Sequence, residues 1–303
     1  MSDEISRIEP RVSIGLPVFN GERYLRQALT SLLSQTFADF ELIISDNAST
    51  DGTGKICDEY ARRDRRIRYC RAASNMGVNR NSNKVFELSR GEYFRWASHD
   101  DLSSIHLLER CVAVLDSRPD VALCYGKTVL IDPDGGKISA YEDGHDLPMQ
   151  SPADRYVAYF ERAGLCNLPY GLIRSAALKR TRLFCDLAVS DLLLMGELAL
   201  YGKFVEIPEE LFFRRMHPTA GSQARSEKAL EEVYGKELAN RQGRFARCKR
   251  FTYEMAAVNR APIALREKGK IIFWLLQQIV WSRDEFVREI AMDLFAYKRS
   301  RAL

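Results

Sequence analysis

The sequence predicts an α/β fold, a mixed and mainly parallel sheet flanked by helices, with a helical C-terminal tail added to it. Three observations carry this expectation. Between residues 12 and 115, apolar β-type runs alternate with segments of helical periodicity, a pattern that demands right-handed crossovers and a parallel sheet covered on both faces. Asp46, the run Asn75-Met76-Gly77 and the pair Asp100-Asp101 stand just past the ends of those runs, on the edge where open α/β sheets place their ligands. From Ser226 onward the pattern is helical, with Pro262 as its sharp punctuation.

Residues 12–18 are a short apolar β-type run, and Tyr24, Leu25, Ala28, Leu29, Leu32 and Leu33 follow at helical spacing. A second strand over 41–45 ends on Asp46, and a helix over about 52–63 follows. Strands are then expected at 67–70 and 93–97, and helices at 77–88 and 107–115. Residues 121–131 read as a long strand, and Asp132-Pro133-Asp134-Gly135-Gly136 as a hairpin turn that begins an antiparallel part. A helix over 152–160, a strand over 168–174, a helix over 187–201 starting near Ser190-Asp191, and a strand over 204–214 complete this part. That last strand runs into Arg214-Arg215-Met216-His217-Pro218.

Composition excludes several classes. A chain of 303 residues with 46% hydrophobic content can bury a full core. A net charge of +4 is too mild for a phosphate-tracking surface, so no nucleic-acid partner is expected. Local basic clusters at 241–250 and 298–301 read as solvated helix faces. Seven scattered cysteines without a Cys-x-x-Cys pair read as reduced thiols, neither a disulfide framework nor a zinc site. The polar N-terminus lacks a signal pattern and the apolar stretch 271–281 is too short for a span, so a cytoplasmic protein is expected. Trp274, Trp281 and their apolar neighbours are flanked by Arg266, Lys268, Lys270, Arg283 and Arg288. That suits peripheral contact with the inner face of a membrane or with a partner subunit; packing on the preceding domain is the alternative.

The apolar run at 93–97 breaks into Ser98-His99-Asp100-Asp101. Capping of a helix over 103–117 explains one carboxylate. It does not explain both. A divalent cation that completes its shell with substrate phosphates accounts for the pair. Neither Gly-x-Gly-x-x-Gly nor a Walker loop is present, so the phosphates must be held in another way.

The stretches Gly15-Leu16-Pro17-Val18-Phe19-Asn20, Gln35-Thr36, Glu41 to Thr53, Asn75-Met76-Gly77, His99-Asp100-Asp101 and Ser190-Asp191 together resemble inverting family 2 glycosyltransferases with the GT-A fold. The resemblance implies a GT-A catalytic domain over 1–225, with a nucleotide-sugar half at about 11–105 and an acceptor half at about 106–225, and a helical extension over 226–303. It implies that Pro17, Phe19, Asn20, Glu22, Asp46, Asn75, Gly77, Arg80 and Asp100 bind a nucleoside-diphosphate sugar, UDP-linked by preference. An aromatic face for the base and a carboxylate for its N–H suit that role. It further implies Mn²⁺ or Mg²⁺ held by Asp100, Asp101 and His217, and Asp191 as the base for a glycan or lipid-linked acceptor in bacterial surface polysaccharide or glycoconjugate assembly. Ser98 departs from the family pattern, standing where the first Asp of Asp-x-Asp is common. A catalytically silent sugar-nucleotide-binding module is therefore the alternative, against which Asp100, Asp191 and His217 count together.

Overall fold

Each apolar run of the first hundred residues is followed by a helix with one apolar face, and such a helix can bury that face only by returning over the sheet. The computed structural model describes residues 9–162, 164–187, 189–218, 245–285 and 287–290. Strands β1 (Val12–Val18), β2 (Phe40–Asp46), β3 (Ile67–Arg71) and β4 (Tyr93–Trp96) alternate with helices α1 (Glu22–Leu33), α2 (Thr53–Arg63) and α3 (Val78–Glu87). In α1 the buried residues are Tyr24, Leu25, Ala28, Leu29 and Leu32, five of the six positions read from the spacing. After β4 come a two-residue strand β5 (Leu102–Ser103), helix α4 (Leu107–Ser117), and the hairpin of β6 (Val121–Ile131) and β7 (Lys137–Tyr141). Helix α5 (Pro152–Glu161), strand β8 (Leu172–Arg174), helix α6 (Ser175–Leu178), helix α7 (Ser190–Leu198) and strand β9 (Lys203–Arg215) follow. Helices α8 (Ala246–Arg260) and α9 (Leu265–Trp281) form the C-terminal part.

The strands make one sheet in the order β3-β2-β1-β4-β8-β6-β9-β5, with β7 paired to β6. β1 lies parallel to β2 and β4, β8 runs antiparallel to both β4 and β6, and β6 lies parallel to β9. Strands β1, β2, β4, β6 and β9 therefore end at one edge. That single consequence of topology brings Phe19, Asp46, Asp100 and His217 to the same side of the molecule. The sheet is buried on both faces: Ile14, Leu25, Leu42 and Leu108 belong to one core, and Val85, Phe94, Ile173, Leu194 and Phe204 to the other.

Three expectations need correction. Asp101 does not cap a helix over 103–117: α4 starts at Leu107, and Leu102 and Ser103 instead pair with Phe213 and Phe212 of β9. Only the second half of 168–174 is a strand, because Leu168–Tyr170 forms a 3-10 turn around Pro169, which cannot donate to a ladder. The helix read over 187–201 is shorter and runs from Ser190 to Leu198.

The C-terminal stripe divides. Ile271 and Leu275 are buried against Ala153, Tyr156 and Leu200, with Trp274 edge-on to Tyr156, so this side of α9 packs on the preceding domain. Phe273, Leu276, Val280 and Trp281 remain exposed. All seven cysteines are free, in keeping with reduced thiols. Among the described residues no helix is long and apolar enough to cross a membrane. The expected domain boundary at 225/226 and the cluster at 298–301 lie outside the described residues.

Candidate active site

The loops after β1 and β2 are stitched together by side chains that the sequence suggests for donor binding. Asn20 sits at φ 49°, a left-handed position that Asn tolerates, and its Oδ1 accepts the Thr50 N–H at 2.8 Å. Glu22 Oε2 accepts the Gly52 N–H at 2.8 Å, while Asp51 Oδ2 accepts the Glu22 N–H at 3.1 Å. Asp46 is wholly buried, and both its oxygens are engaged: Oδ1 takes the Ser49 N–H at 2.8 Å and Oδ2 the Tyr69 hydroxyl at 3.1 Å, with Arg71 at 3.6 Å. Capping of its own turn thus belongs to Asp46 whatever else it does.

A third loop joins this edge. Asn75 Oδ1 accepts from Asn47 Nδ2 at 2.7 Å and from the Gly77 N–H at 2.8 Å, and Gly77 takes φ 85°, which glycine adopts without a Cβ penalty. Phe19 and Pro17 are half-buried here, and Arg80 is exposed on α3.

At the ends of β4 and β9, His217 Nε2 lies 2.9 Å from Asp100 Oδ2, and the Ser98 hydroxyl donates to Asp100 Oδ1. Burial opposes the charge of Asp100, yet His99, the His217 hydrogen bond and the Ser98 hydroxyl hold it well below the usual carboxylate range. Ser98, the departure from Asp-x-Asp, thus orients the carboxylate beside it. Asp101 behaves differently. Burial, then the charge of Asp100, push its carboxyl up to about 8, and its Oδ1 accepts the Arg215 N–H at 2.8 Å.

Buried Arg215 fastens the whole corner. Its Nε donates to Asp100 O at 2.8 Å, Nη1 to Pro133 O at 2.8 Å and Nη2 to Gln27 Oε1 at 2.8 Å, while its guanidinium lies over the Tyr24 ring. An aspartate oxygen and an imidazole nitrogen meeting at one point are the donors that Mn²⁺ accepts, with phosphate oxygens free to complete the shell. Among the described residues no group of three His, Cys, Asp or Glu side chains could hold a metal. Of the expected set Asp100, Asp101 and His217, the structure brings together Asp100 Oδ2 and His217 Nε2, while Asp101 Oδ1 is turned to the Arg215 N–H.

Asp191 lies in the first turn of α7, and its Oδ1 accepts the Leu192 N–H at 2.8 Å. Burial raises its pKa above the usual carboxylate value, against the backbone hydrogen bond and the charge of Arg214. Tyr170 feels the charge of both carboxylate groups: burial, then the charges of Asp101, Asp100 and Asp191, raise its hydroxyl pKa, and Arg214 opposes them. Arg214 in turn donates to Asn167 Oδ1 at 2.6 Å, and Asn167 Nδ2 to Asp143 Oδ1 at 2.9 Å. The sequence reading missed Tyr170, Asn167 and Asp143. No local pattern marks them, because they meet only through the turn before β8.

An α/β sheet of this order is a GT-A fold, and it carries an Asp-His pair past β4 and β9 and a half-buried aspartate in the first turn of a later helix. Residues 13–160 match the family model for glycosyl transferase family 2. The glycosyltransferase GlyG of Streptococcus pneumoniae is 26% identical over 142 residues, covering 47% of this chain and 47% of its own length. The match spans 14%, 47% and 59% of three curated relatives, less than two thirds of each. Among solved structures, S. aureus TarS 1-349 in complex with UDP-GlcNAc superposes with a TM-score of 0.61 at 16% identity, covering 96% of this chain and 92% of that one. The mannosyltransferase PcManGT from Pyrobaculum calidifontis, in complex with GDP-Man and Mn²⁺, gives 0.54 at 15% identity, covering 97% and 76%.

Proposed function

We propose that this protein transfers a sugar from a nucleoside-diphosphate donor, UDP-linked by preference, to an acceptor hydroxyl with inversion, in the assembly of a bacterial surface glycan or glycoconjugate. The approach of His217 Nε2 to Asp100 Oδ2 carries this reading, because it sits on the edge where the donor-side loops after β1 and β2 also end. The UDP-GlcNAc and GDP-Man held by the two similar structures support a nucleotide-sugar donor, and the Mn²⁺ of the second supports a divalent cation.

Asp100 and His217 would hold that Mn²⁺ or Mg²⁺. When bound, the cation offsets the negative charge that develops on the departing diphosphate. Phe19 offers its ring to the base, and Asn75 and Gly77 close the loop beside it. Asp191 takes the proton from the acceptor hydroxyl. Its raised pKa suits that task, since a base works best when its own affinity for the proton approaches that of the medium. A single displacement with the base opposite the leaving group inverts the anomeric centre.

Release of free nucleoside diphosphate from a panel of UDP-, GDP- and dTDP-sugars, with and without Mn²⁺, tests this reading. Release from one donor, dependent on Mn²⁺, is expected. A protein that binds a donor but releases nothing with any acceptor is the silent module instead.

A further inference from the structure

Helix α3 starts from the Asn75-Met76-Gly77 loop on the donor side, and its asparagines bind the chain on both sides of it. Asn81 Nδ2 donates inward to Ser45 O at 2.8 Å, which anchors α3 to the end of β2 beside Asp46. Asn79 and Asn83, four residues apart on one face, turn the other way and grip residues 184–187. Asn83 Nδ2 donates to Phe184 O at 2.9 Å, and its Oδ1 accepts the Phe184 N–H at 2.9 Å. Asn79 Nδ2 donates to Cys185 O at 2.7 Å and to Leu187 O at 3.2 Å.

The second of these acceptors matters most. Leu187 O also accepts the Ser190 N–H at 3.2 Å, in the turn from which α7 begins, and Asp191 is the next residue. Asn79 is itself buried, although it belongs to a helix whose neighbouring Val78 and Arg80 are exposed. A buried amide with two N–H groups, both spent on the backbone of one distant segment, fixes where that segment lies. Phe184, edge-on to Trp96 at 5.0 Å between ring centres, holds the same segment from the sheet side.

We propose that Asn79 is a positioning residue for Asp191, setting from the donor-side helix the turn that carries the acceptor-side carboxylate. The proposal rests on the reading of Asp191 as the base. Its physical content is that a helix begun by the donor loop and a turn ended by the base are one mechanical piece. Donor-side order thereby reaches the base through two hydrogen bonds and a shared carbonyl. Displacements of about 1 Å in a reacting group can cost up to about 10²-fold in rate, so a loosened turn is enough to slow transfer.

Two substitutions separate position from folding. Asn79→Asp keeps the shape, removes both donors, and puts an acid in the first turn of α3, where the helix dipole favours it. Asn79→Ser keeps one donor without burying a charge, and serves if the first variant folds poorly. Hydrogen exchange of peptides covering 184–193 and steady-state transfer are measured on the full chain, using the UDP-, GDP- or dTDP-sugar that the wild type turns over. Faster exchange confined to 184–193, kcat lowered about 10-fold and the donor KM unchanged within about twofold are expected.

Unaltered exchange in 184–193 overturns the proposal. So does faster exchange with kcat at the wild-type value, which makes Asn79 merely structural. A wild type that turns over no sugar nucleotide while the variants still exchange faster overturns the base assignment, and this proposal with it, yet leaves the hydrogen-bonded clasp confirmed.

Discussion

Arg260 of α8 forms an ion pair with Glu197 of α7, so this C-terminal helix grips the element whose first turn holds Asp191. Glu197 is fully buried, and it also accepts the Tyr253 hydroxyl at 3.1 Å and the Arg182 N–H at 3.2 Å. The Tyr253 hydroxyl lies 3.3 Å from Leu183 O as well, next to the segment that Asn79 and Asn83 hold from the opposite side. Helix α8 is therefore part of the same packing unit as α7.

Removing the Arg260 cation leaves a buried carboxylate with neutral donors only. Arg260→Ala is expected to lower the unfolding free energy by about 2–4 kcal/mol, somewhat below the largest losses for buried pairs because the Arg260 side chain is 36% exposed. Urea denaturation measures this. The double variant Arg260→Ala/Glu197→Gln should recover part of the loss, since the stranded charge is gone; no recovery would mean that packing of the arginine stem, and not the charge, was lost.

Asp143 gives a pH signature. Burial pushes its carboxyl up to about 6, although Thr128 Oγ1 and Asn167 Nδ2 donate to it at 2.6 and 2.9 Å. Its unfolded value is about 3.9. A raised folded pKa contributes stability that is fully present below pH ~4 and is lost as pH rises through ~6. Asp143→Asn, which keeps an acceptor for Asn167, should remove that loss. The variant should gain on the wild type by on the order of 2 kcal/mol between pH 4 and 8. Asp101 titrates in the same direction, so the difference between the two proteins, not either curve, is the test. Parallel thermal melts across that range would refute the assignment.

The fold was legible where periodicity lasts. Five core positions of α1 and the long run of β6 announce themselves, because a face must repeat over several turns or pleats before sequence shows it. Leu102–Ser103 is too short for any period, so nothing local told that Asp101 faces β9 in place of capping a helix. The site was legible where residues end strands: topology alone carries Asp100 and His217, which are 117 positions apart, to one edge. Asn79 and Leu187 are 108 positions apart and neither ends a strand. Their contact depends on how α3 and the loop before α7 pack, and no spacing encodes that.

Asp100→Ala should abolish metal-dependent nucleotide binding while the chain stays folded. Asp100 lies on the loop after β4, outside the apolar clusters, so its removal takes no apolar contact from the core. Calorimetric titration of UDP in the presence of Mn²⁺ is the measurement, with circular dichroism as the folding control. Equal UDP affinity in variant and wild type would remove Asp100 from the cation site. His217→Ala should weaken the same binding less, since one neutral ligand is lost and the carboxylate stays.

Asp191→Asn should leave donor affinity near normal and slow transfer by about 10²-fold or more, the usual scale for a lost general base. Asn can still accept the Leu192 N–H through its amide oxygen, so the start of α7 is preserved. The pH profile adds an independent sign. Because burial raises the pKa of Asp191, its ionised form is lost on acidification earlier than for a solvated carboxylate, whose pKa is about 3.9. The acidic limb of kcat/KM in the wild type should therefore lie above that value, and Arg214→Gln, by withdrawing a cation that lowers it, should move the limb upward again. Since kcat/KM reports the free enzyme, the shift should appear there whether or not donor binding changes the base. A limb that stays in place when Arg214 is replaced, or that persists in Asp191→Asn, would assign the titration to another group and leave Asp191 as a first-turn residue of a helix.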